Sequence, residues 1–576
     1  MSTAIGMRWL VIPDGPVEPS RDLVGGKAWS LWRMRSLGLR VPPAFVVTTE
    51  ACAAFFETGG LPEGLVEELE AGIRLLEKEL GRTFGGSERP LLVSVRSGAA
   101  VSMPGMMDTI LDLGCNDAVE SALAAESGDA AFAAEVHRRF AGFYGRLVLG
   151  CVEDLEDLPD LVAVQAAIAD DVDESVPADP WEQLRNAVAS VFQSSRSRRA
   201  VAYRKHYGIP DDLGTAVTIQ AMVFGNLDDD SGTGVLFTRN PVDGTREVYG
   251  EYLQRGQGED VVSGRVTPRP LSHLAEQWPS VHAELLDAAE RLDREGRDAQ
   301  DIEFTVQQGQ LFLLQSRPAK RTARAAVRIA VELVDEGVIE PVDALTRVSA
   351  DQIRTLLRPE LGDIGDAEVL VSGVAASPGV ATGVVVDTPE AAQANPGSIL
   401  VRRSTSPEDV HGMIAAAAVV TEQGGATSHA AVVSRALDTP CVVGCGAGAV
   451  ERLVGRVVTV DATSGRVFAG SLETSVVDES EDDDLRRLTE WAELHSPVQV
   501  ATSGAVEPVF DADAVSGDEL GEQLPPIPPG TKTVRGAVFA TPDGVRAAVD
   551  AGVEVIVAAH RLPVLLAAIA HVRKTS

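Results

Sequence analysis

From Gly424 to Val433 the sequence reads GGATSHAAVV: two glycines, a threonine, a serine and a histidine, then an apolar, alanine-rich run with helical character. Two roles are open to His429 on this stretch alone. It is a cap-region histidine without chemistry, or an imidazole nucleophile held at the start of a helix. Other stretches carry residues that handle phosphates. VGGKAWSL (Val24 to Leu31) places Lys27 behind two glycines and ahead of a predicted helix, though it is not a Walker A loop. LLVSVRSGAAVSMPGMMDT (Leu91 to Thr109) is a β-run carrying Arg96 toward a loop of small residues with Met103, Met106 and Met107. An arginine there takes two phosphate oxygens in its fork, or is held in a salt bridge. DDDSGTGVLFTRNP (Asp228 to Pro241) offers backbone N–H groups to an anion, and GEYLQRGQGEDVVSG supplies Glu251, Glu259 and Asp260. DIEFTVQQGQLFLLQSRP is two β-runs around a turn. Alternation puts Asp301 and Glu303 on one face, and Gln315 and Arg317 on one face. Carboxylates beside an arginine and a glutamine make a floor suited to a magnesium-bound nucleotide.

The elements that must position these residues fall into six stretches. Residues 1–115 mix short apolar runs and glycine loops as an α/β unit does, 116–212 turn helical, and 213–320 return to β-type runs. Residues 321–371 read as a helical linker, in which AAVRIAVELVDEGVI stops near Gly337. A second α/β unit spans 372–476, and 477–576 hold the acidic stretch DESEDDD and a further strand-and-helix pattern. With 576 residues, 45% hydrophobic and 23% charged, the chain builds several domains with real cores. Its net charge of −35 argues against nucleic-acid or acidic-membrane partners. The basic run RSRRAVAYRKHYG (Arg196 to Gly208) is either a local anion site or a solvated helix face. Five scattered cysteines without a CxxC pair fit a reducing cytoplasm, and neither a signal peptide nor a membrane-spanning stretch is evident, so a cytoplasmic location is expected.

Taken in order, GGKAWSL, SVRSGAAVSMPGMMDT, DDSGTGVLFTRNP, GEYL with QGEDVVSG, DIEFT with LQSR, and GGATSHAAVVSRALDTPCVVG resemble the pyruvate phosphate dikinase family from about residue 20 to 475. SMPGMMDT and GEDVVSG are closer to the dikinases than to the related phosphoenolpyruvate synthases. The resemblance implies an α/β multidomain protein. An ATP-grasp nucleotide domain is built from 1–115 and 213–320 around the helical subdomain. A swivelling α/β phosphohistidine domain follows at 372–476, and then a short α/β remnant. It further implies that Lys27, Arg96, Glu303, Gln315 and Arg317 hold ATP and Mg²⁺, with Glu303 and Gln315 on the metal and Arg96 catalytic. Asp301, Glu259 and Asp260 fall in matched motifs on the nucleotide side. His429 is implied as phosphocarrier, and Thr427 as the residue on which a regulatory kinase acts. The implied chemistry uses ATP and inorganic phosphate to phosphorylate His429, giving AMP and pyrophosphate. A helix N-terminus suits this: its positive end keeps imidazole neutral and then binds the phosphate dianion. His137, His206, His273, His282, His411, His495, His560 and His571 match no motif and are read as structural.

The family's pyruvate/phosphoenolpyruvate barrel takes roughly 250 residues, whereas 477–576 offer only stretches resembling its first strand (WAELHSPVQVATSG) and the next helix and strand (TPDGVRAAVDAGVEVIVAAHR). Pyruvate chemistry is therefore expected to be absent or supplied in trans. The apolar helix LPVLLAAIAHV then either exposes a face for a barrel-bearing partner chain or a homodimer, or folds back on the 372–476 unit. Two other readings compete. One is transfer to a different acceptor, as in phosphoenolpyruvate synthases or antibiotic-phosphorylating relatives; the short 320–372 linker, with no room for a substrate domain, counts against the antibiotic case. The other is a non-catalytic regulatory nucleotide-binding protein, against which the joint presence of Lys27, Arg96, Glu303, Gln315, Arg317 and His429 counts. Hinges for a swivel are expected in 320–372 and 478–484.

Overall fold

The computed structural model describes residues 7–575 except 16, 100–108, 153–154, 156–157, 208, 211–212, 263–266, 358–359, 362–363, 365–366, 438, 476–478, 504–506, 508 and 513–525. The methionine-bearing loop predicted after Arg96 lies outside the described residues. The protein is α/β and multidomain, as the sequence indicates.

Two five-stranded antiparallel sheets build the first half. In one, Ala216–Ala221 lies between Ala44–Val47 and Val93–Gly98. It is buried at all six positions, the polar Thr218 and Gln220 included. Residues expected to open the later β-rich stretch thus complete the sheet begun near residue 10. In the other sheet, Gln300–Gln307 sits between Gly232–Phe237 and Gln310–Pro318. The helices Asp117–Ser127, Ala130–Tyr144 and Pro180–Ser194 share one apolar core with the first sheet. The basic run forms the helix Arg198–Tyr207, with Arg196, Arg198 and Lys205 exposed and Ala200 and Arg204 buried.

Residues 369–469 carry an eight-stranded mixed sheet whose parallel part runs through Val380–Val386, Ile399–Arg402, Ala418–Thr421 and Cys441–Val443. The chain enters this unit past Glu360–Leu361 and leaves it past Thr474–Ser475, and these two segments pair antiparallel. The last part of the chain is a four-stranded parallel sheet, ordered Gln499–Ala501, Val555–Val557, Thr533–Arg535, Val509–Asp511. No closed barrel occurs among the described residues.

One expectation is corrected here. The helix Leu562–Thr575 does not present a free apolar face, nor does it fold onto the 372–476 unit. Leu562, Leu565, Leu566 and Ile569 are buried in one apolar core, where their helix packs on the linker helix Ala350–Leu356 and on Asp483–His495 and Pro542–Asp550. Of the stretches expected to act as hinges, the helical part of the first and much of the second are packed, whereas Glu360–Leu361 lies beyond the linker helices. The linker helices belong to that same core, because eight residues of Ala323–Asp335 are buried. The acidic stretch is pinned by specific bonds: Glu479 accepts from the backbone N–H of Arg561 and Leu562 at 2.9 and 2.7 Å. Asp482 caps the helix Asp483–His495 and pairs with Arg324. Acidic residues here serve helix N-termini.

Candidate functional site

The helix Arg21–Ser36 is broken at Gly25, whose φ of 76° lies in the left-handed region. A Cβ there would lie 2.0 Å from the carbonyl oxygen of Gly98, so only glycine lets this turn press against the end of the strand Val93–Gly98. The contact brings Lys27 to the wall that Arg96 occupies. Arg96 donates to Glu303 Oε2 at 3.1 Å, Gln220 Oε1 at 3.3 Å and Gln315 Oε1 at 3.4 Å. The salt-bridge reading of this arginine holds, and its side chain also lines the cavity. The hairpin register places Asp301 opposite Arg317 and Glu303 opposite Gln315. Arg317 binds the Asp301 carboxylate through Nε and Nη2, both at 2.8 Å. Burial would raise the Glu303 carboxyl, but Arg96, Arg317 and Lys27 outweigh it and hold the group below its usual value, hence ionised. Burial does raise Asp301, with Arg317 opposing.

Lys27, Arg96, Asp301, Glu303, Gln315 and Arg317 line one cavity of about 930 Å³, and so do Thr405, Thr427 and His429 from the eight-stranded unit. The two halves therefore meet on a single site. Asp260 also lines it, but its carboxylate is held by Arg139 at 2.9 and 3.1 Å. Glu259 lies in the helix Gly258–Val262, and its side chain is outside the described residues.

His429 opens the helix His429–Ala436, as its sequence predicts. Its Nδ1 is 3.2 Å from Thr405 Oγ1, and its buried Nε2 has no hydrogen-bond partner among the described residues. Burial lowers the imidazole to about 4, with the charge of Asp409 opposing only in part, so the ring is neutral near pH 7. A neutral ring with a free nitrogen can act as a nucleophile. The preceding loop is clasped from the other half. Glu251, on Tyr249–Gln254, accepts from Thr427 Oγ1 at 2.7 Å and from the backbone N–H groups of Ala426 and Thr427. A Cβ on Gly425 would lie 2.8 and 2.9 Å from the two Glu251 oxygens. Three other histidines serve locally: His137 with Glu120 at 2.6 Å, His411 with the Glu408 carbonyl at 2.8 Å, His571 with Asp550 at 2.6 Å.

Sequence reasoning missed Thr405, Gln220 and Arg435. Thr405 had a faint signal, because SPED (Ser406 to Asp409) is a capping pattern that fixes the loop before it. Arg435 is buried against the face of Phe237 at 5.9 Å, and nothing in an alanine-rich helix announces such a contact.

Residues 21–71 and 62–284 match the family described as pyruvate phosphate dikinase, AMP/ATP-binding domain, and 394–465 match the PEP-utilising enzyme, mobile domain. The chain is 42% identical over 562 residues to the pyruvate, phosphate dikinase of Rhizobium meliloti, covering 88% of this chain and 62% of that one. It is 40% identical to that of Clostridium symbiosum (87% and 62%) and 41% identical to the chloroplastic pyruvate, phosphate dikinase 1 of Zea mays (84% and 56%). The chain thus spans about three-fifths of the length of the curated relatives it matches. No described helix is long and apolar enough to cross a membrane.

Proposed function

We propose that this chain, which belongs to the pyruvate, phosphate dikinase family, binds ATP between its two halves and phosphorylates its own His429, with inorganic phosphate as second acceptor and AMP and pyrophosphate as products. One observation carries the reading: an uncharged imidazole with a free nitrogen lines the same cavity as Lys27, Arg96, Glu303, Gln315 and Arg317. In this reading 1–115 and 213–320 form an ATP-grasp nucleotide domain, with 116–212 as its helical subdomain. Residues 372–476 form a swivelling phosphohistidine domain beyond the 321–371 linker. Lys27, Arg96 and Arg317 take the phosphates and stabilise the charge that builds on them as the phosphoryl group moves. Asp301 orients the Arg317 guanidinium, and Asp260 does the same for Arg139 on the opposite wall.

The donor set fits Mg²⁺, which prefers oxygen ligands and takes one or two from protein beside substrate phosphates. Glu303, kept ionised, and the Gln315 amide oxygen would hold it. When bound, the ion would supply charge neutralisation between adjacent phosphates. The arrangement described is the ATP-facing one. Onward transfer requires His429 to leave, and the paired segments Glu360–Leu361 and Thr474–Ser475 are the pivot this reading assigns. Thr427 is buried and bonded to Glu251, so a regulatory kinase would act on the released domain.

Labelled ATP tests the reading. With phosphate present, the β-label stays on the protein and the γ-label leaves as pyrophosphate; without phosphate both stay. Retention of the γ-label alone would contradict paired acceptors. Pyruvate added to the labelled chain then reads the final acceptor as phosphoenolpyruvate formed.

A further inference from the structure

We infer that Thr405 is a positioning residue that selects which nitrogen of His429 attacks, an inference that rests on the reading of His429 as phosphocarrier. A neutral imidazole carries one proton, on Nδ1 or on Nε2. Thr405 Oγ1 lies 3.2 Å from Nδ1, while Nε2, on a ring that lines the cavity, is buried without a partner among the described residues. If the proton sat on Nε2, a buried N–H would have no acceptor, which is the costly kind of unmet group. If it sits on Nδ1, it is donated to Thr405 Oγ1, and Nε2 keeps its lone pair. The surroundings thus favour the reactive tautomer before any nucleotide arrives.

Thr405 is itself held in place. It sits between the strand Ile399–Arg402 and the short helical turn Pro407–Asp409. Asp409 Oδ2 accepts from the Ser406 backbone N–H at 2.7 Å and from Ser406 Oγ at 3.2 Å, while Oδ1 faces Arg402 Nη2 at 3.2 Å. Asp409 is buried, so this clasp is shielded from water and the loop carrying Thr405 is fixed. The chain Arg402–Asp409–Ser406–Thr405–His429 ends on the ring.

The step balances without a separate base. The Nε2 lone pair forms the N–P bond. The bridging P–O bond breaks, and its electrons leave with the departing nucleotide phosphate. The Nδ1 proton stays on the ring, donated to Thr405 Oγ1. The positive charge that the phosphorylated ring gains is eased by the nearby Asp409 carboxylate. From the other tautomer, attack would need Nε2 to be deprotonated first, and no described residue bonds to it.

The test reads the tautomer and the rate separately on the full chain. Long-range ¹H–¹⁵N spectra of histidine-labelled protein, with the His429 signals assigned by their loss in His429→Ala, report which nitrogen is protonated in the unphosphorylated state. The expected result is an Nδ1–H ring in the wild type and a shift toward Nε2–H in Thr405→Val. Thr405→Ser, which keeps the hydroxyl, restores the wild-type pattern. Labelling by ATP should slow roughly tenfold in Thr405→Val, the worth of about one hydrogen bond, with ATP affinity unchanged, and recover in Thr405→Ser. An Nε2–H ring in the wild type, or an unchanged ring in Thr405→Val, overturns the inference. A wild-type chain that takes no label sinks the phosphocarrier reading, while the spectra still decide what Thr405 does to the ring.

Discussion

At the scale of single residues, the site works by setting protonation states through burial and placed charges. Arg96 and Arg317 are ion-paired with Glu303 and Asp301, and in the proposed reading an incoming phosphate replaces or shares those carboxylates. Arg96→Ala and Arg317→Ala are each expected to lose labelling of His429 by well over tenfold, since a charge-assisted contact is worth roughly 1.5–3 kcal/mol in the ground state and more in the transition state. Circular dichroism should show both variants folded; labelling at the wild-type rate in both would place the nucleotide elsewhere. Asp112 is a second residue with an altered proton. It is fully buried at a φ of 57°, and burial raises its carboxyl to about 7 against the pull of Arg139 and of the Gln257 side chain. Between the unfolded value near 3.8 and about 7 the folded state binds the extra proton, so stability falls as pH rises through that window. Asn tolerates the same backbone conformation and has no charge to bury. Asp112→Asn should therefore raise the unfolding midpoint at about pH 8, on the order of a few kcal/mol in stability, and the gain should shrink as pH falls and vanish only near the unfolded value of 3.8. A midpoint unchanged at the higher pH would mean that the carboxylate is stabilised in some other way.

At the scale of elements, the loop before the helix His429–Ala436 is where the two halves lock. Gly425 leaves room for the Glu251 carboxylate, whose atoms are the three nearest to where a Cβ would stand. Gly425→Ala should push Glu251 off the Thr427 hydroxyl and the backbone N–H groups. Labelling should then fall roughly tenfold, the worth of a hydrogen bond to a charged group, while the melting temperature holds. An unchanged rate would show that the clasp does not matter. This element also shows what the sequence can and cannot disclose. Lys27, Arg96, Glu303, Gln315, Arg317 and His429 could be picked out because glycine loops, a hairpin alternation and a helix start are local patterns. Glu251 could be seen as a motif residue but not as the partner of Thr427, which stands 176 positions away. Asp260 could likewise be seen as a motif residue but not as the partner of Arg139, which lies on a distant helix. The tail helix Leu562–Thr575 misled in the opposite sense: its apolar pattern was plain, but what covers it, the linker helix Ala350–Leu356 with Asp483–His495 and Pro542–Asp550, is a tertiary fact.

At the scale of the whole molecule, a phosphocarrier that sits on its nucleotide site must leave it to pass the phosphoryl group on. Motions of this kind take microseconds to milliseconds. A disulfide engineered across the interface, away from Glu251 and Thr427, should hold the described arrangement. His429 should then still take label from ATP in a single turnover, and steady turnover with any acceptor should stop until the disulfide is reduced. Full turnover in the crosslinked protein would contradict a swivel about the paired segments Glu360–Leu361 and Thr474–Ser475. Beneath all of these lies one claim, that ATP phosphorylates His429 of this chain. The direct measurement is peptide mapping by mass spectrometry of the wild type and of His429→Ala after incubation with ATP, Mg²⁺ and phosphate. The account predicts one acid-labile, base-stable phosphoryl group on His429 and none on the variant. Equal phosphorylation of His429→Ala, or a phosphoryl group mapped to a different residue, would contradict it.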